Sequence, residues 1–267
     1  MKGERKMAVV ETATLFDNVD SQTEFVCRHF EMKPAPKEKR STSLYTSRNV
    51  KKATEDEPIR SLEHIKEAQD YFLTTGKTRW YRMRNYMLFV LGISTGLRGC
   101  DLLDLKIGDV LNENGTIKNY ILLIEQKTRK TNRPRINNAA KEAIVKYLDC
   151  LEEIDFDEYL IRSERKNNAN HGKMDTTQLY RIMHKLNTDL GFEEHIGAHS
   201  LRKTFGYWNL KLHPDDPQAL AVLQQMLNHS SSQTTLRYCG FTREDKDVFY
   251  SDIESIFSDA KLTKVVP

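Results

Sequence analysis

Several short segments of the sequence carry residue types that suit work on a phosphate. In the segment AHSLRK at 198–203, His199 and Arg202 are three residues apart and share a face if the segment is helical. A guanidinium supplies a fixed charge and a planar fork of donors, while an imidazole can transfer a proton near neutral pH. Because this spacing is common among helices, it indicates phosphate chemistry only together with other residues.

Two downstream segments, LNHSS at 227–231 and TLRY at 235–238, place Tyr238 nine residues after His229. A phenol has a pKa of about 10, so as a nucleophile it needs cationic neighbours and a group that accepts its proton. Taken singly, LNHSS is more simply interpreted as a polar turn near a helix end. Tyr238 taken singly is one of 11 tyrosines, and a structural role is then the simpler interpretation.

An upstream arginine lies in the segment STGLRGCDL at 94–102. Arg98 follows Gly96, which is placed to end a helix, and Asp101 comes three residues after Arg98, where the next helix would begin. One interpretation is a surface arginine paired with Asp101. The other is a part in the same phosphate chemistry.

Considered together, these segments resemble the tyrosine recombinase (phage integrase) family. That family is marked by TGLR-x-x-[DE]-L, a lysine in a β-hairpin, H-x-x-R, L-x-H-S-S and a tyrosine at the spacing seen here. All five features occur in the family's order between Thr95 and Tyr238. The resemblance implies an enzyme of mobile elements that cleaves and rejoins DNA strands in site-specific recombination, and that acts on double-stranded DNA as a homotetramer.

The resemblance also implies a role for each matching residue. Tyr238 matches the nucleophile that attacks the scissile phosphate and leaves a 3′-phosphotyrosyl link. Arg98 and Arg202 match the arginines that hold the non-bridging oxygens in the transition state. His199 matches the residue that accepts the tyrosine proton, and His229 matches one that hydrogen-bonds the phosphate.

The hairpin lysine, which protonates the leaving oxygen in the family, matches Lys127 in the segment EQKT, with Lys130 as the alternative. Preorganised cations can stabilise a phosphoryl-transfer transition state by themselves, so we expect no metal and no cofactor. Accessory DNA-binding proteins are a further expected class of partner. Additional cations beside these motifs are predicted to contact DNA: Arg129, Lys130, Arg133, Lys203 and Arg237.

Two other functions fit the same residues less directly. Type IB topoisomerases use a similar set of side chains to relax supercoiled DNA as monomers, but the spelling of the two histidine motifs here favours the recombinases. A DNA-binding regulator on a recombinase scaffold would keep the fold without catalysis. Retention of all six candidate catalytic side chains argues against that function.

The elements that must position these residues are predicted to form a mainly helical α+β domain with one small antiparallel sheet. The predicted strands lie near Ile117–Ile124 and Arg133–Ile136, and the basic loop between them carries Lys127. The predicted helices cover Ser61–Phe72, Tyr81–Ser94, a short segment over Leu102–Leu105, Ala139–Leu151, Thr176–Leu190, Ala198–Lys211, Pro217–Leu227 and Glu244–Phe257.

The first 55 residues lack a sustained apolar period and contain two prolines within a basic stretch. We expect a mostly irregular arm over 1–55, with a short helix near Gln22–His29, and a catalytic domain over 56–267. Most full-length members of the family also bind DNA through an N-terminal core-binding domain. A basic arm can neutralise phosphates but reads bases poorly, so we expect weak autonomous binding.

Composition limits the class of protein. The net charge is +3, charged residues make up 30% of the 267 residues, and no apolar run is long enough to cross a membrane. We therefore expect a cytoplasmic, DNA-associated protein with no membrane partner. The four cysteines lie far apart without metal-ligand spacing, so we expect reduced thiols.

Two further features are specific to this sequence. Asn228 stands where the family usually has glycine, and asparagine tolerates the left-handed conformation that glycine would adopt there. The segment Glu244–Phe257 has apolar residues near helical spacing. It is expected either to dock on a neighbouring protomer or to pack on its own domain.

Overall fold

A computed structural model of the chain describes residues 56–163 and 172–240. Within these ranges it contains nine helices and one antiparallel sheet of two strands, the mainly helical α+β arrangement that the periodicity predicts. In chain order the elements are α1 (Leu62–Thr74), α2 (Arg79–Thr95), α3 (Gly99–Leu103), α4 (Ile107–Val110), β1 (Leu123–Ile124), β2 (Thr131–Asn132), α5 (Asn138–Leu148), α6 (Thr176–Leu190), α7 (Ser200–Leu212), α8 (Ala219–Met226) and α9 (Ser232–Tyr238).

The ends of the long helices follow from local capping residues. The Ser61 side chain accepts hydrogen bonds from the N–H groups of Glu63 and His64 and so begins α1. The Asp175 side chain caps the start of α6 in the same way. Gly96 ends α2 with φ of 62°, in the left-handed region that costs glycine little. Because such signals are local, the predicted long helices match the observed ones to within a few residues.

Helix α2 lies at the centre of the main hydrophobic core. Met87, Leu88, Phe89 and Leu91 on successive faces of α2 are all fully buried, as expected for a helix enclosed by others. Helices α1, α5 and α7 pack around it. The rigid C-terminal end of α2 therefore fixes the position of the loop that carries Arg98.

The sheet is shorter than the sequence predicts. Its strands contain two residues each, with Leu123–Ile124 paired to Thr131–Asn132. The predicted first strand, 117–124, was therefore too long. The predicted second strand, 133–136, was placed after the observed one, and only Arg135 in it forms an isolated bridge, to Tyr120. Pro134 accepts a backbone hydrogen bond across the hairpin but has no N–H to return, which interrupts the ladder. The hairpin itself and its basic loop are confirmed.

A smaller hydrophobic cluster joins α7, α8 and α9. Phe205, Leu223, Leu227 and Cys239 form it. Helix α9 was not predicted, because its seven residues are mostly polar and show no apolar period. It nevertheless forms because the Ser231 side chain caps its N-terminus and its C-terminal end packs into the cluster.

Some predictions lie outside the described residues: the arm over 1–55 with its short helix near 22–29, and the helix over 244–257. In the described part of the chain, no helix is both long and apolar enough to cross a membrane. Cys100, Cys150 and Cys239 are free thiols there, as expected.

Candidate active site

Arg98 lies at the junction between α2 and α3, directly after the turn at Gly96. Its Nη1 donates to Oε2 of Glu125 at 2.5 Å, and its side chain is 15% exposed. Asp101 is buried and accepts a hydrogen bond from the N–H of Gln126 at 2.8 Å. Arg98 therefore does not form the surface pair with Asp101 that the spacing suggested. Asp101 instead ties the hairpin to α3.

Glu125 is fully buried and accepts hydrogen bonds from several elements. Thr128 Oγ1 donates to Oε2 at 2.5 Å, and Asn132 Nδ2 donates to Oε1 at 2.9 Å. Burial alone would raise the pKa of this carboxyl. Hydrogen bonds from Thr128, Asn228 and Arg98 outweigh burial and hold the pKa below its usual value. Glu125 is thus ionised at neutral pH and holds Arg98 in place.

Sequence reasoning overlooked Glu125, although a signal was present. Side chains alternate between the two faces of a strand, and Ile121, Leu123 and Glu125 share the inward face of the hairpin. A charged residue at an inward position needs a partner of opposite charge or several hydrogen bonds. The alternation therefore indicates a buried carboxylate, but not which cation it meets.

Arg202 lies within α7 and is 2% exposed. Its Nη1 donates to the carbonyl of Gly96 at 2.8 Å, and its Nη2 donates to the carbonyl of Leu227 at 2.6 Å. The planar guanidinium makes both bonds at once and so joins the end of α2 to the end of α8. Burial, together with the charge of Arg98, lowers the pKa of Arg202, but an arginine stays charged in a protein.

Tyr238 is partly buried at the end of α9, with basic side chains around its ring. The ring centroid lies 5.7 Å from Cζ of Arg202, 5.5 Å from Nζ of Lys203 and 5.1 Å from the ring centroid of His229. Burial raises the pKa of the phenol, while Arg202 and Arg98 oppose that effect. The phenol is therefore protonated at neutral pH, and its use as a nucleophile needs a proton acceptor.

Asn228 and His229 form the turn between α8 and α9. Asn228 has φ of 51°, which confirms that it adopts the left-handed conformation. His229 Nδ1 lies 3.1 Å from Oγ1 of Thr235. Burial, with the charges of Arg202 and Arg98, lowers the pKa of His229 to about 4. Its imidazole is therefore neutral at pH 7 and keeps one donor and one acceptor.

His199 immediately precedes α7, and its side chain is 66% exposed at the mouth of the site. Its backbone N–H donates to Oδ2 of Asp56 at 2.7 Å, and its Nδ1 lies 3.8 Å from the same oxygen. The charges of Lys203, Arg202 and Lys127 also act on this ring. Sequence reasoning did not anticipate Asp56, which is distant in the chain and belongs to none of the motifs.

The turn of the hairpin carries Lys127, which is exposed. Its charge acts on both His229 and His199, so Lys127 lies on the side of the hairpin that faces the site. The carbonyl of Lys130 accepts from the N–H of Glu125 at 2.9 Å and closes the turn.

The cations predicted to contact DNA divide into two groups. Lys203 is 5% exposed and lies against the ring of Tyr238, so its charge acts inside the site. The others are exposed, on the hairpin or on α9: Arg129, Lys130, Arg133 and Arg237.

The assembled site is a cationic pocket around one phenol. Fixed arginine charges, a neutral imidazole and lysine ammonium groups suit the binding of a phosphate and its transfer to the phenol oxygen. Among the residues with described positions, no group of three or more His, Cys, Asp and Glu could hold a metal ion.

The sequence matches a known protein family and named relatives. Residues 62–244 match the phage integrase family. The probable integrase/recombinase YoeC of Bacillus subtilis (strain 168) is 37% identical over 194 residues, which are 73% of this chain and 94% of YoeC. Tyrosine recombinase XerC of Rickettsia canadensis (strain McKiel) is 29% identical over 189 residues, which are 70% of this chain and 55% of XerC. The chain thus spans nearly all of one relative and about half of the other.

Solved structures share the fold. The XerA recombinase superposes with a TM-score of 0.53 at 22% identity, over 76% of this chain and 66% of that chain. The XerH site-specific recombinase, bound to its palindromic difH substrate after cleavage, superposes with a TM-score of 0.53 at 22% identity, over 74% of this chain and 53% of that chain. Both similarities concern the fold alone.

Proposed function

This chain belongs to the phage integrase family, and we propose that it cleaves and rejoins DNA strands in site-specific recombination through a 3′-phosphotyrosyl bond to Tyr238. One observation carries the proposal. The ring of Tyr238 shares a pocket with Arg202 and His229, with Cζ of Arg202 5.7 Å from the ring centroid. A tyrosine that only fills space does not need a buried guanidinium and an imidazole beside it.

In the first step the Tyr238 oxygen attacks phosphorus, and the bond from phosphorus to the 5′ oxygen breaks. Arg98 and Arg202 hold the non-bridging oxygens and stabilise the added charge of the transition state. Both guanidiniums are already fixed, Arg98 by the buried carboxylate of Glu125 and Arg202 by two backbone carbonyls. Such preorganisation reduces the entropy lost when the phosphate binds.

Protons move at both ends of the reacting phosphate. The phenol proton of Tyr238 passes to His199, and Lys127 gives a proton to the leaving 5′ oxygen. His229, which its pKa of about 4 keeps neutral, donates a hydrogen bond to the phosphate. In the second step a 5′-hydroxyl attacks the phosphotyrosyl bond and the two proton transfers reverse. The phosphodiester is restored, the Tyr238 phenol is released, and no energy-rich cofactor is consumed.

Double-stranded DNA is the proposed substrate, held partly by exposed cations on the hairpin, Arg129, Lys130 and Arg133. Residues 56–267 are proposed as the catalytic domain. Residues 1–55 are proposed as an arm that neutralises DNA phosphates, with accessory DNA-binding proteins adding affinity. The protein would act in the cytoplasm, on DNA.

Assembly on DNA is proposed to be tetrameric. An apolar groove of about 340 Å³ lies beside α7 and α8, and Leu210, Leu220 and Leu236 line part of it. The segment 244–257 has apolar residues near helical spacing. We propose that this segment docks in the groove of a neighbouring protomer, which would couple the four subunits.

A pool of nicked DNA duplexes that trap the covalent intermediate tests the activity. Wild-type protein should form an adduct that survives denaturing electrophoresis, and Tyr238→Phe, which keeps the ring in the pocket, should form none. Tyr180→Phe removes a hydroxyl from an exposed ring on α6 and serves as the matched control. Sequencing the trapped DNA identifies the site.

Failure of the wild type to form an adduct with any duplex would contradict the proposed activity and favour a DNA-binding regulator. Adduct formation by Tyr238→Phe would contradict the role of Tyr238. Relaxation of supercoiled plasmid that lacks a trapped site would indicate a topoisomerase rather than a recombinase.

A further inference from the structure

A short strap, residues 56–60, packs along the first half of α7. Ile59 is fully buried, its N–H donates to Oγ1 of Thr204 at 2.9 Å, and its carbonyl accepts from Nε1 of Trp208 at 3.0 Å. Nη2 of Arg60 donates to the carbonyl of Gly240 at 2.9 Å. The strap therefore contacts both α7 and the residue that ends the turn after Tyr238, and these contacts hold it in place.

The first residue of the strap, Asp56, brings a carboxylate to the mouth of the site. Its side chain is 17% exposed, and Oδ2 lies 2.7 Å from the backbone nitrogen of His199 and 3.8 Å from its Nδ1. Oδ1 lies 3.7 Å from Nδ1 of His195. The carboxylate is thus held between two histidines and bonded to the backbone of one of them.

The backbone around this carboxylate leaves room for nothing larger than glycine. A Cβ at Gly197 would lie 2.2 Å from Oδ1 of Asp56, well inside van der Waals contact. The loop before α7 thus packs directly against the carboxylate. The N-terminal end of α7 also favours a negative charge at the Asp56 carboxylate.

We propose that Asp56 is a positioning residue for His199, whose ring it orients through Nδ1 and whose charge it balances when the ring accepts the proton of Tyr238. The inference rests on the proposed function, in which His199 takes that proton. A hydrogen bond between the Asp56 carboxylate and Nδ1 of His199 requires the 3.8 Å separation to shorten to about 3 Å. Nδ1 then carries the hydrogen and donates it to the carboxylate, which leaves Nε2 free to accept the phenol proton.

The charges around His199 explain why an acid is needed. Burial lowers the pKa of His199, and three cations add to this effect, Lys203 and Arg202 from α7 and Lys127 from the hairpin. All three are cations and oppose a positive charge on the imidazole, whereas Asp56 favours it. A base surrounded by cations accepts a proton more readily when a fixed carboxylate lies on its other side.

Asp56→Asn in the full chain tests the inference, because an amide oxygen can still accept the His199 backbone N–H while the charge is lost. We expect cleavage of the nicked duplex to slow by at least about tenfold. NMR titration of the His199 ring without DNA should give a lower pKa than in the wild type, because the carboxylate charge that favours the protonated ring is lost. The acid limb of the cleavage profile should move to lower pH by the same amount, because His199 must be neutral to accept a proton.

Two comparisons separate positioning from folding. Glu57→Gln makes the same change of charge on the neighbouring strap residue, whose carboxylate accepts from the His195 N–H at 3.0 Å, and should change cleavage less than about twofold. In a His199→Gln background, Asp56→Asn should have no further effect, because Asp56 acts through that ring.

Cleavage by Asp56→Asn that equals or exceeds the wild-type rate would overturn the inference. So would slower cleavage with an unmoved acid limb and an unchanged His199 pKa, since that pattern indicates a purely structural contact. Absence of any wild-type adduct would count against the proposed function instead. The NMR titration would still decide in that case whether Asp56 acts on His199.

Discussion

Arg98 donates a 2.5 Å hydrogen bond to Glu125, a carboxylate with no solvent exposure. The two residues belong to different elements, the loop after α2 and the hairpin. Asp101 adds a second connection by accepting from the N–H of Gln126. The hairpin that carries Lys127 is therefore fixed relative to Arg98 by two buried acids, Glu125 and Asp101.

Replacing Glu125 should disturb both stability and activity. Glu125→Ala leaves Arg98 without its partner and removes the acceptor of Thr128 and Asn132, so the free energy of unfolding should fall by about 3 kcal/mol in urea denaturation. Glu125→Gln keeps the shape without the charge and should cost less. Equal stability of the alanine variant and the wild type would show that the buried pair contributes nothing.

Substitution of Asn228 should separate backbone strain from side-chain contact. Both Asn228→Gly and Asn228→Ala lose the amide hydrogen bond to Glu125. Alanine must also adopt φ of 51°. The free energy of unfolding of Asn228→Ala should therefore be about 1 kcal/mol lower than that of Asn228→Gly. Thermal unfolding of the two variants measures the difference. No difference would mean that the turn adopts another conformation.

Gly206 should control the position of the nucleophile through its neighbour Cys239. A Cβ on Gly206 would lie 2.7 Å from Sγ of Cys239, the residue after Tyr238. Gly206→Ala should therefore destabilise the protein by about 1–3 kcal/mol and slow adduct formation. Adding Cys239→Ala removes the sulfur and should restore both. If the double variant is as unstable and as slow to form the adduct as Gly206→Ala, the contact with Cys239 is not the cause of the defect.

His229 should make stability depend on pH. Its pKa is about 4 in the folded protein, below the ordinary 6.5 of an imidazole. Between these values the unfolded chain binds a proton that the folded chain does not, so stability is full above pH 6.5 and falls as the pH drops toward 4. His229→Gln cannot take up this proton, and its stability should fall less over that interval in urea unfolding. Parallel curves for the two proteins would contradict the assignment.

Deleting the residues after Gly240 should spare DNA binding and abolish cooperative assembly, if the segment 244–257 docks on a neighbouring protomer. Electrophoretic mobility shifts and sedimentation on DNA carrying paired sites distinguish single from multiple occupancy. Leu220→Gln, in the groove beside α8, should reproduce the defect in the full chain. Unchanged assembly after the deletion would show that the segment packs on its own domain or plays no part.

Local chemistry made much of the fold predictable. Ser61, Gly96 and Asp175 bound their helices through contacts within a few residues, so the sequence indicates them directly. The left-handed turn at Asn228 was predictable for the same reason. The first strand was predicted too long because Pro134 breaks a ladder that alternation alone extends, and the second was placed after its observed position. Helix α9 was not predicted because an N-cap residue, and not an apolar period, marks it.

The sequence by itself determined the family, the helical α+β class and the set of candidate residues. These depend on residue types and on their separation in sequence, which are known before the chain is folded. Only the tertiary structure decided their partners. Arg98 meets Glu125 27 residues away, and Arg202 bonds to Gly96 106 residues away. Asp56 reaches His199 across 143 residues. Such contacts depend on how helices pack around α2, which no local pattern encodes, and they determine which acid each cation of the site meets.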